Sequence, residues 1–327
     1  MILRILLILI TMSSDAATCQ SQAYSNVNYV HDGTASFKSQ VLQKMIALLG
    51  RKTLMERNIR AGRFSSEPVK PGKPLLSDFR HKVTAVEGRK VWTFRPKSGN
   101  SQKVILYIHG GGYMSNLTKY DWALVEQLLI KTRCTIVVPD YPLIPHSDYT
   151  NVYSFFDRLY SNLLSHTPHG NIIFMGNSAG GGIALGFAQK LRNEGKPQPA
   201  QIILNSPWLD ITMSNPEIAE IDKRDKLLGI NGLKMAGQLY AAGLDPTDFK
   251  VSPIYGDFSG LGQISLFIGT HDLFLADARK LKEKMGKENI AMNYFEYPKM
   301  FHVWIALTSL IESQHAINEI AKLVASE

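Results

Sequence analysis

Short runs of branched and aromatic hydrophobic residues recur along the chain, separated by longer stretches with a helical spacing of apolar positions. Because most positions in each run are apolar, the runs predict strands that are buried on both faces. Strands of this kind that alternate with helices are typical of a mostly parallel sheet covered by helices on both sides. The pattern therefore predicts an α/β fold. The runs lie at 104–108, 135–138, 171–175, 201–204, 264–268 and 292–297.

Four other segments depart from this alternation. The apolar spacing over 41–49 predicts a helix, whereas three prolines within 67–76 predict a linker without regular helix. Segments 81–86 and 90–94 flank Glu87-Gly88-Arg89 and predict a β-hairpin. Residues 211–250 are more charged than the other connections and contain several glycines. We expect them to form helices inserted between two strands, as a lid or cap.

The first residues have the order of segments that is typical of an export leader. Arg4 precedes an apolar run over 5–12, and small or polar residues follow as far as Ala17. The run is shorter than the roughly 20 apolar residues that cross a bilayer. The pattern predicts a periplasmic or secreted protein with no integral membrane segment in the mature chain. The alternative is a cytoplasmic protein in which residues 1–17 stay uncleaved as a buried helix.

The composition of the 327 residues is that of a globular protein, with 45% hydrophobic and 20% charged residues. This composition excludes collagen and low-complexity disorder. The formal net charge of +8 could suit an acidic partner such as nucleic acid or an anionic membrane surface. The basic residues are scattered, however, apart from a run over 280–287 that fits a solvated helix face. We therefore predict no nucleic-acid partner.

The residues also give no sign of a metal or a cofactor. Cys19 and Cys134 are the two cysteines of the sequence, too few for a disulfide framework or a multi-cysteine zinc site. No G-x-x-x-x-G-K-[ST] phosphate loop is present, and the glycines that begin at Gly180 do not extend to G-x-G-x-x-G because position 185 is Leu. The sequence predicts neither a metal site nor a cofactor.

The segment Gly176-Asn177-Ser178-Ala179-Gly180 has the G-x-S-x-G pattern and lies between a predicted strand and a predicted helix. A nucleophilic serine stands on a sharp strand-to-helix turn, and glycines two positions away on each side leave room for that turn. The start of the following helix supplies N–H groups for a developing oxyanion. The pattern also arises by chance, but its placement between strand and helix favours a nucleophile.

A second glycine-rich segment, His109-Gly110-Gly111-Gly112-Tyr113, comes directly after the predicted strand 104–108. Consecutive glycines let the backbone approach a ligand closely and point N–H groups at it. Acyl transfer needs such donors where negative charge develops on the carbonyl oxygen. A flexible loop is the alternative, but the serine motif further along the chain favours a role in catalysis.

A serine nucleophile needs a base, and the base needs an acid that orients it. His302 follows the strand 292–297 through a predicted loop, and Asp272 follows the strand 264–268. The chain order Ser, acid, His favours Asp272 as the acid and His302 as the base. Asp277 competes less well as the acid because it lies inside the next predicted helix. His271 also lies at the carboxyl end of the strand 264–268, directly before Asp272. Six other histidines lie in loops, at strand starts or on helical stretches and have no predicted role: His31, His81, His146, His166, His169 and His315.

With these motifs in order, the chain resembles the hormone-sensitive-lipase-like carboxylesterases of the α/β-hydrolase fold over about residues 40–325. The resemblance implies a mostly parallel central sheet flanked by helices, with a helical cap. It implies that Ser178 is the nucleophile, that His302 is the general base and acid, and that Asp272 orients His302. The segments that carry it are HGGGY (109–113), DYPLIPH (140–146), GNSAGG (176–181), SPWLD (206–210), GTHDLFLAD (269–277) and MFH (300–302).

The resemblance also implies an oxyanion hole made of the backbone N–H groups of Gly111, Gly112 and Ala179. His109 would then be a structural residue that holds the glycine loop. In domain terms we expect a leader at 1–17, cap helices and a linker at 18–75, and a catalytic domain at 76–327. A cap insertion at about 211–250 would cover the acyl and alcohol pockets.

Two residues depart from the family pattern. Asn177 stands where the family usually has an acidic residue, and His146 replaces the usual glutamate of the DYPLIPH segment. We expect altered support of the loops around the site and an altered substrate preference, with the catalytic triad retained.

These observations predict a serine carboxylesterase that acts on small or short-acyl esters. Hydrolysis of an amide, a formamide or a lactone by the same residues is the alternative within enzymes. A ligand-binding member of the fold without activity is the alternative outside them, although Ser178, Asp272 and His302 are all present. By position, Tyr113, Met114 and Trp208 are candidates for the substrate pocket. The expected partner is a small-molecule ester.

Overall fold

A computed structural model describes residues 26–64 and 67–326. The predicted leader and Cys19 lie outside the described residues. The strands are β1 (Asn28–Val30), β2 (Arg80–Val86), β3 (Arg89–Arg95), β4 (Val104–Ile108), β5 (Thr135–Pro139), β6 (Ile172–Asn177), β7 (Gln201–Asn205), β8 (Gln263–His271) and β9 (Met292–Phe301). The helices are α1 (Phe37–Leu48), α2 (Leu54–Arg60), α3 (Lys73–Asp78), α4 (Lys119–Thr132), α5 (Tyr149–Leu164), α6 (Ala179–Asn193), α7 (Ile218–Asp222), α8 (Ile230–Ala241), α9 (Leu275–Lys287) and α10 (Ile311–Ala325).

The strands of the described residues form one sheet in the order β1-β9-β8-β7-β6-β4-β5-β3-β2. The pairs from β1 to β5 in this order are parallel, and β3 pairs antiparallel with both β5 and β2. Each of the six predicted runs forms one of the parallel strands. The α/β fold class is confirmed.

Helices cover both faces of the sheet, so alternate side chains of a strand enter different cores. Leu106 of β4 packs with residues of α5, α6, α8 and α9 on one face, whereas Ile105 and Tyr107 pack with residues of α4 and α10 on the other. All three side chains are fully buried. Burial of one such side chain contributes about 1.5–3 kcal/mol, which explains why these strands are apolar at most positions.

The predicted hairpin is present, since β2 and β3 pair in register from Arg80 and Arg95 to Val86 and Arg89. Glu87 and Gly88 at its turn both have positive φ, 49° and 76°. This is the backbone geometry of a two-residue turn that matches the twist of the strands.

Three features differ from the sequence predictions. Residues 73–78 form the helix α3 inside the expected linker, because Pro74 occupies its first turn, where a missing N–H costs nothing. The short edge strand β1 was not predicted. The strand β9 continues to Phe301 instead of ending at 297, and a register shift opposite Gly269 and His271 lets the chain pass Pro298 without a regular ladder.

Within residues 26–64 and 67–326, no helix is both long and apolar enough to cross a membrane. The segment 211–250, between β7 and β8, contains the helices α7 and α8. The parallel strands β4, β6, β8 and β9 end at the same edge of the sheet. The residues that follow them are therefore brought together, although they are far apart in sequence.

Candidate active site

Ser178 lies in a strained turn between β6 and α6. Its φ is 53° and its ψ is −121°, a conformation that non-glycine residues rarely adopt and that costs on the order of 1–3 kcal/mol. The turn is tight because a Cβ at Gly176 would lie 2.2 Å from the carbonyl oxygen of Gly180, and a Cβ at Gly180 would lie 2.2 Å from that of Ile108. The N–H of Ser178 donates to the carbonyl of Asn205. The turn therefore requires glycine at both positions.

The structure brings Ser178, His302 and Asp272 together. His302 Nε2 lies 2.8 Å from Ser178 Oγ, and His302 Nδ1 lies 3.0 Å and 3.2 Å from the two carboxylate oxygens of Asp272. A carboxylate only accepts, so Nδ1 carries the proton and Nε2 accepts from the serine hydroxyl. The rings of His302 and Phe274 are nearly perpendicular, with their centroids 5.1 Å apart. All three polar side chains are buried.

Asp272 is supported by neighbouring backbone groups. Its Oδ1 accepts a hydrogen bond from the N–H of Phe274 at 3.0 Å. Asp225, in the segment between α7 and α8, accepts from the N–H of Leu273 at 2.7 Å through Oδ2. Asp225 Oδ1 accepts from the N–H groups of Leu227 and Leu228 at 2.6 Å and 2.9 Å.

Asp225 is fully buried, and its environment opposes its charge. Burial, followed by the nearby charge of Asp272, raises the pKa of Asp225 to about 6, against the lowering effect of its backbone hydrogen bonds. Sequence reasoning missed this residue, because one Asp in a charged insertion carries no motif. The available signal was the tendency of Asp to accept hydrogen bonds from backbone N–H groups two or three residues further along, as Asp225 does from Leu227 and Leu228.

The glycine loop after β4 lies against the serine. Gly111 and Gly112 have φ values of 108° and 61°, and a Cβ at Gly110 would lie 3.1 Å from Ser178 Cβ. The N–H groups of Met114 and Ser115 donate to the carbonyl of Gly111 and close the loop. Among the described residues, the N–H groups of Gly111 and Gly112 do not donate to any backbone carbonyl.

His109 is buried beneath this loop. Its Nδ1 lies 2.7 Å from the carbonyl of Gly110, which only accepts, so Nδ1 carries the proton. The ring stacks on Tyr141 at 4.3 Å, and the Tyr141 hydroxyl donates to the His109 carbonyl. Burial lowers the pKa of His109 and favours the neutral ring. Its contacts thus hold the loop.

Asn177, the first departure from the family pattern, belongs to a chain of hydrogen bonds that ends on the carboxylate of Asp121. Asn205 Nδ2 donates to Asn177 Oδ1 at 2.9 Å, and Asn177 Nδ2 donates to the Tyr107 hydroxyl at 2.6 Å. The Tyr107 hydroxyl in turn donates to Asp121 at the start of α4, at 2.8 Å. The Tyr107 hydroxyl thus donates its proton to Asp121 and accepts a hydrogen bond from Asn177 through an oxygen lone pair. An amide fits this position because it can donate to that lone pair.

The second departure, His146, is exposed and lines a surface cavity of about 370 Å³ with Arg89 and Phe64. In the same segment, Asp140 is held by Arg89 and by Asn116, whose Nδ2 lies 2.6 Å from its carboxylate. The loop therefore keeps a partly buried ion pair between Arg89 and Asp140 beside the cavity that His146 lines.

The three candidate pocket residues are buried. The Tyr113 ring stacks between the rings of Tyr240 of α8 and Trp208, with centroid distances of 3.8 Å and 5.0 Å. The Trp208 ring in turn stacks on Phe274, with a centroid distance of 5.8 Å. Phe274 is the ring that touches His302. A column of aromatic rings thus connects α8 to the triad. Met114 is buried beside this column in the same core.

The two segments predicted to form a cap contact each other. The helix α2 packs on α8, where a Cβ at Gly232 would lie 2.8 Å from the backbone nitrogen of Glu56. Met55 of α2 also reaches the glycine loop, since a Cβ at Gly112 would lie 2.6 Å from Met55 Cε. Ser178 is 6% exposed. No group of three or more potential metal ligands occurs among the described residues.

The chain is similar in sequence to a known family and to several known proteins. A family model described as alpha/beta hydrolase fold matches residues 105–306. A protein named esterase from Acinetobacter venetianus is 25% identical over 264 residues, which are 78% of this chain and 84% of that protein. An acetyl-hydrolase from Streptomyces hygroscopicus is 30% identical over 203 residues, 62% of this chain and 68% of that protein.

A solved structure has the same fold. It is an esterase from the bacterial hormone-sensitive lipase family, with a TM-score of 0.75 and 23% identity, covering 89% of this chain and 98% of that one. These matches confirm the α/β-hydrolase fold that the motifs indicated.

Proposed function

The chain belongs to the α/β-hydrolase family, and we propose that it is a serine carboxylesterase that hydrolyses small or short-acyl esters through an acyl-enzyme. The observation that carries the proposal is the 2.8 Å contact between Ser178 Oγ and His302 Nε2, with Asp272 on the other ring nitrogen. A neutral serine hydroxyl is a weak nucleophile, and a hydrogen-bonded imidazole is the base that activates it.

The proposed reaction has two halves. Ser178 Oγ attacks the ester carbonyl while His302 Nε2 takes the hydroxyl proton, and His302 returns that proton to the leaving alcohol. Water then attacks the acyl-serine, again losing its proton to His302, and the carboxylic acid leaves as Ser178 regains its proton. Asp272 keeps Nδ1 protonated and stabilises the imidazolium that forms in each half.

The negative charge on the carbonyl oxygen needs donors that are already in place. The proposed donors are the N–H groups of Gly111, Gly112 and Ala179. The positive φ values of the two glycines and the position of Ala179 as the first residue of α6 support this role. One such donor contributes about 3–4 kcal/mol to transition-state stability. His109 would hold the loop without touching the substrate.

The segments 18–75 and 211–250 would form the cap over the substrate. The contact of α2 with α8 and of Met55 with Gly112 supports this assignment. Bulky side chains close to the glycine loop favour a short acyl group, with Tyr113, Met114 and Trp208 as candidates for the wall of the pocket. The leader-like residues 1–17 support export, which N-terminal sequencing of the mature protein would test.

The test is hydrolysis of p-nitrophenyl acetate and butyrate by the wild type and by Ser178→Ala. We expect kcat/KM to fall by about 10⁴-fold or more in the variant. Ser326→Ala, near the carboxyl terminus, is the matched control and should keep full activity. If the wild type is no faster than Ser178→Ala on either ester, the protein is not an esterase. Faster cleavage of an acyl anilide or a lactone than of either ester would identify the alternative hydrolase activity.

A further inference from the structure

The outer face of α1 is apolar and unpartnered among the described residues. Phe37, Val41, Met45 and Leu48 recur at the spacing of one helix face. Phe37 is 83% exposed and Leu48 is 88% exposed, and Leu49 beyond the helix is 63% exposed. Large apolar side chains that are exposed together on one face are typical of an interaction surface.

The opposite face of α1 is the one that packs on the protein. Ser39 on that face is buried and donates to the Glu312 carboxylate at 2.9 Å. Gln43 donates to the carbonyl of Lys299 at 2.7 Å and lies 2.9 Å from the ring of His271, the residue before Asp272. The helix is therefore firmly placed, and its apolar outer face is not explained by packing.

This apolar face lies in a strongly basic segment of the chain. Segment 37–63 contains seven Lys and Arg residues and a single Glu, so it carries +6 of the formal net charge of +8. The Glu pairs with Arg60, and Lys52 pairs with Asp222. Within the described residues, five of the seven form no ion pair: Lys38, Lys44, Arg51, Arg57 and Arg63. The segment that carries the exposed apolar stripe is thus also strongly basic.

We propose that segment 37–63 docks the protein on an anionic lipid surface. The apolar side chains of the α1 outer face would enter the interface, and the surrounding Lys and Arg side chains would contact acidic headgroups. An apolar face combined with basic side chains is the pattern of helices that lie in the plane of a membrane. The positive charge of the segment favours an anionic lipid surface as the partner, because the apolar stripe alone would suit any apolar surface.

The docked surface would lie directly over the catalytic edge of the sheet. Gln43 of α1 contacts the residue beside Asp272, and Met55 of α2 packs on Gly112. A lipid surface bound to the outer side of these helices would bring esters carried in that surface close to the site. This goes beyond the proposed esterase activity and does not depend on it.

The test is co-sedimentation of the full-length protein with phosphatidylcholine vesicles that do or do not contain phosphatidylglycerol. We expect binding to the anionic vesicles, weakened by salt, and little binding to phosphatidylcholine alone. The variants Phe37→Gln/Leu48→Gln and Lys44→Glu/Arg51→Glu should each lower the partition coefficient by about tenfold or more. The matched control is Lys82→Glu/Val83→Gln on β2, at the opposite edge of the sheet, where Val83 is also exposed.

Each of the following results would overturn the proposal. Binding that is absent in the wild type, or equal in the wild type and both double variants, excludes docking through this segment. A wild-type dimer that Phe37→Gln/Leu48→Gln converts to a monomer, without vesicle binding, identifies the face as a contact between copies. A large loss of thermal stability in that variant, again without vesicle binding, identifies a face covered by the chain itself. Sedimentation needs no turnover, so its outcome is independent of the esterase assay.

Discussion

Asp225 accepts a hydrogen bond from the backbone N–H of Leu273, at 2.7 Å, and so joins the inserted segment between α7 and α8 to the residue that follows Asp272. A buried carboxylate that binds three N–H groups fixes their positions, because each would otherwise lose a charge-assisted hydrogen bond. The cap insertion and the acid of the proposed triad are thus held by one side chain.

Replacement of Asp225 by Asn should therefore slow the proposed reaction. An amide that keeps the bonds to Leu227 and Leu228 turns its NH₂ group toward the N–H of Leu273, and two donors then face each other. Loss of a hydrogen bond to a charged group costs about 1.5–3 kcal/mol, so we expect kcat on p-nitrophenyl butyrate to fall by about ten- to a hundredfold with little change in KM.

Asp245→Asn is the control for that variant. Asp245 lies in the same insertion, but its carboxylate binds only Thr247 at the surface. Its kcat should equal that of the wild type. A lower melting temperature of Asp225→Asn with an unchanged kcat would show that Asp225 supports the cap and not the position of Asp272.

The hydroxyl of Tyr107 should contribute measurably to stability. Tyr107→Phe removes the atom that accepts from Asn177 and donates to Asp121, and leaves the Asn177 amide without its partner in a fully buried place. We expect a loss of about 1–3 kcal/mol in the free energy of unfolding, measured by urea titration. Tyr120→Phe, which changes an exposed ring on α4, should stay within about 0.5 kcal/mol of the wild type.

Introducing the acidic residue that the family usually has at position 177 should destabilise this protein. In Asn177→Asp two carboxylates compete for the single proton of the Tyr107 hydroxyl, so one of them loses its donor. We expect a loss of about 1–3 kcal/mol at neutral pH that shrinks as the pH falls.

The double variant Asn177→Asp/Asp121→Asn reverses the direction of this chain of hydrogen bonds and should recover part of that loss. The measurement is a double-mutant cycle of unfolding free energies. Equal losses in Asn177→Asp and in the double variant, after subtraction of the effect of Asp121→Asn alone, would contradict the competition for one proton.

Asp277 should make stability depend on pH. Burial raises its pKa to about 6, and its Oδ2 has no hydrogen-bond partner among the described residues. Because the folded-state pKa lies above the unfolded value, the protein is relatively more stable below about pH 4 and loses that stability as the pH rises through 6. In Asp277→Asn this loss is absent. The stability difference between variant and wild type should therefore shift in favour of the variant by about 2–3 kcal/mol between pH 4 and pH 8.

Thermal unfolding at several pH values measures this shift. Glu288→Gln, an exposed carboxylate just beyond the end of the same helix, is the control, and its difference from the wild type should stay constant. A constant difference for Asp277→Asn as well would mean that the buried carboxylate titrates normally in the folded protein.

Much of the fold could be predicted from local pattern. Runs that are apolar on both sides predict buried parallel strands. G-x-S-x-G between a strand and a helix predicts the turn at Ser178, because that turn leaves room only for glycine two residues before and after the serine. The sequence predictions failed at α3, which was expected to be a linker, and at β1, which was not expected. The first turn of α3 tolerates Pro74, and β1 pairs with the free edge of β9.

The sequence by itself thus determined the class of fold, the order of the six central parallel strands, and the candidate roles of Ser178, Asp272 and His302. Only the tertiary structure decided that these side chains meet, that Asp225 binds the backbone beside Asp272, and that Asn177 enters a chain of hydrogen bonds that ends on Asp121. It also decided which face of α1 is buried. The physical reason is that periodicity and turn chemistry act between near neighbours. Burial and hydrogen-bond partners depend instead on what the folded chain places against each residue.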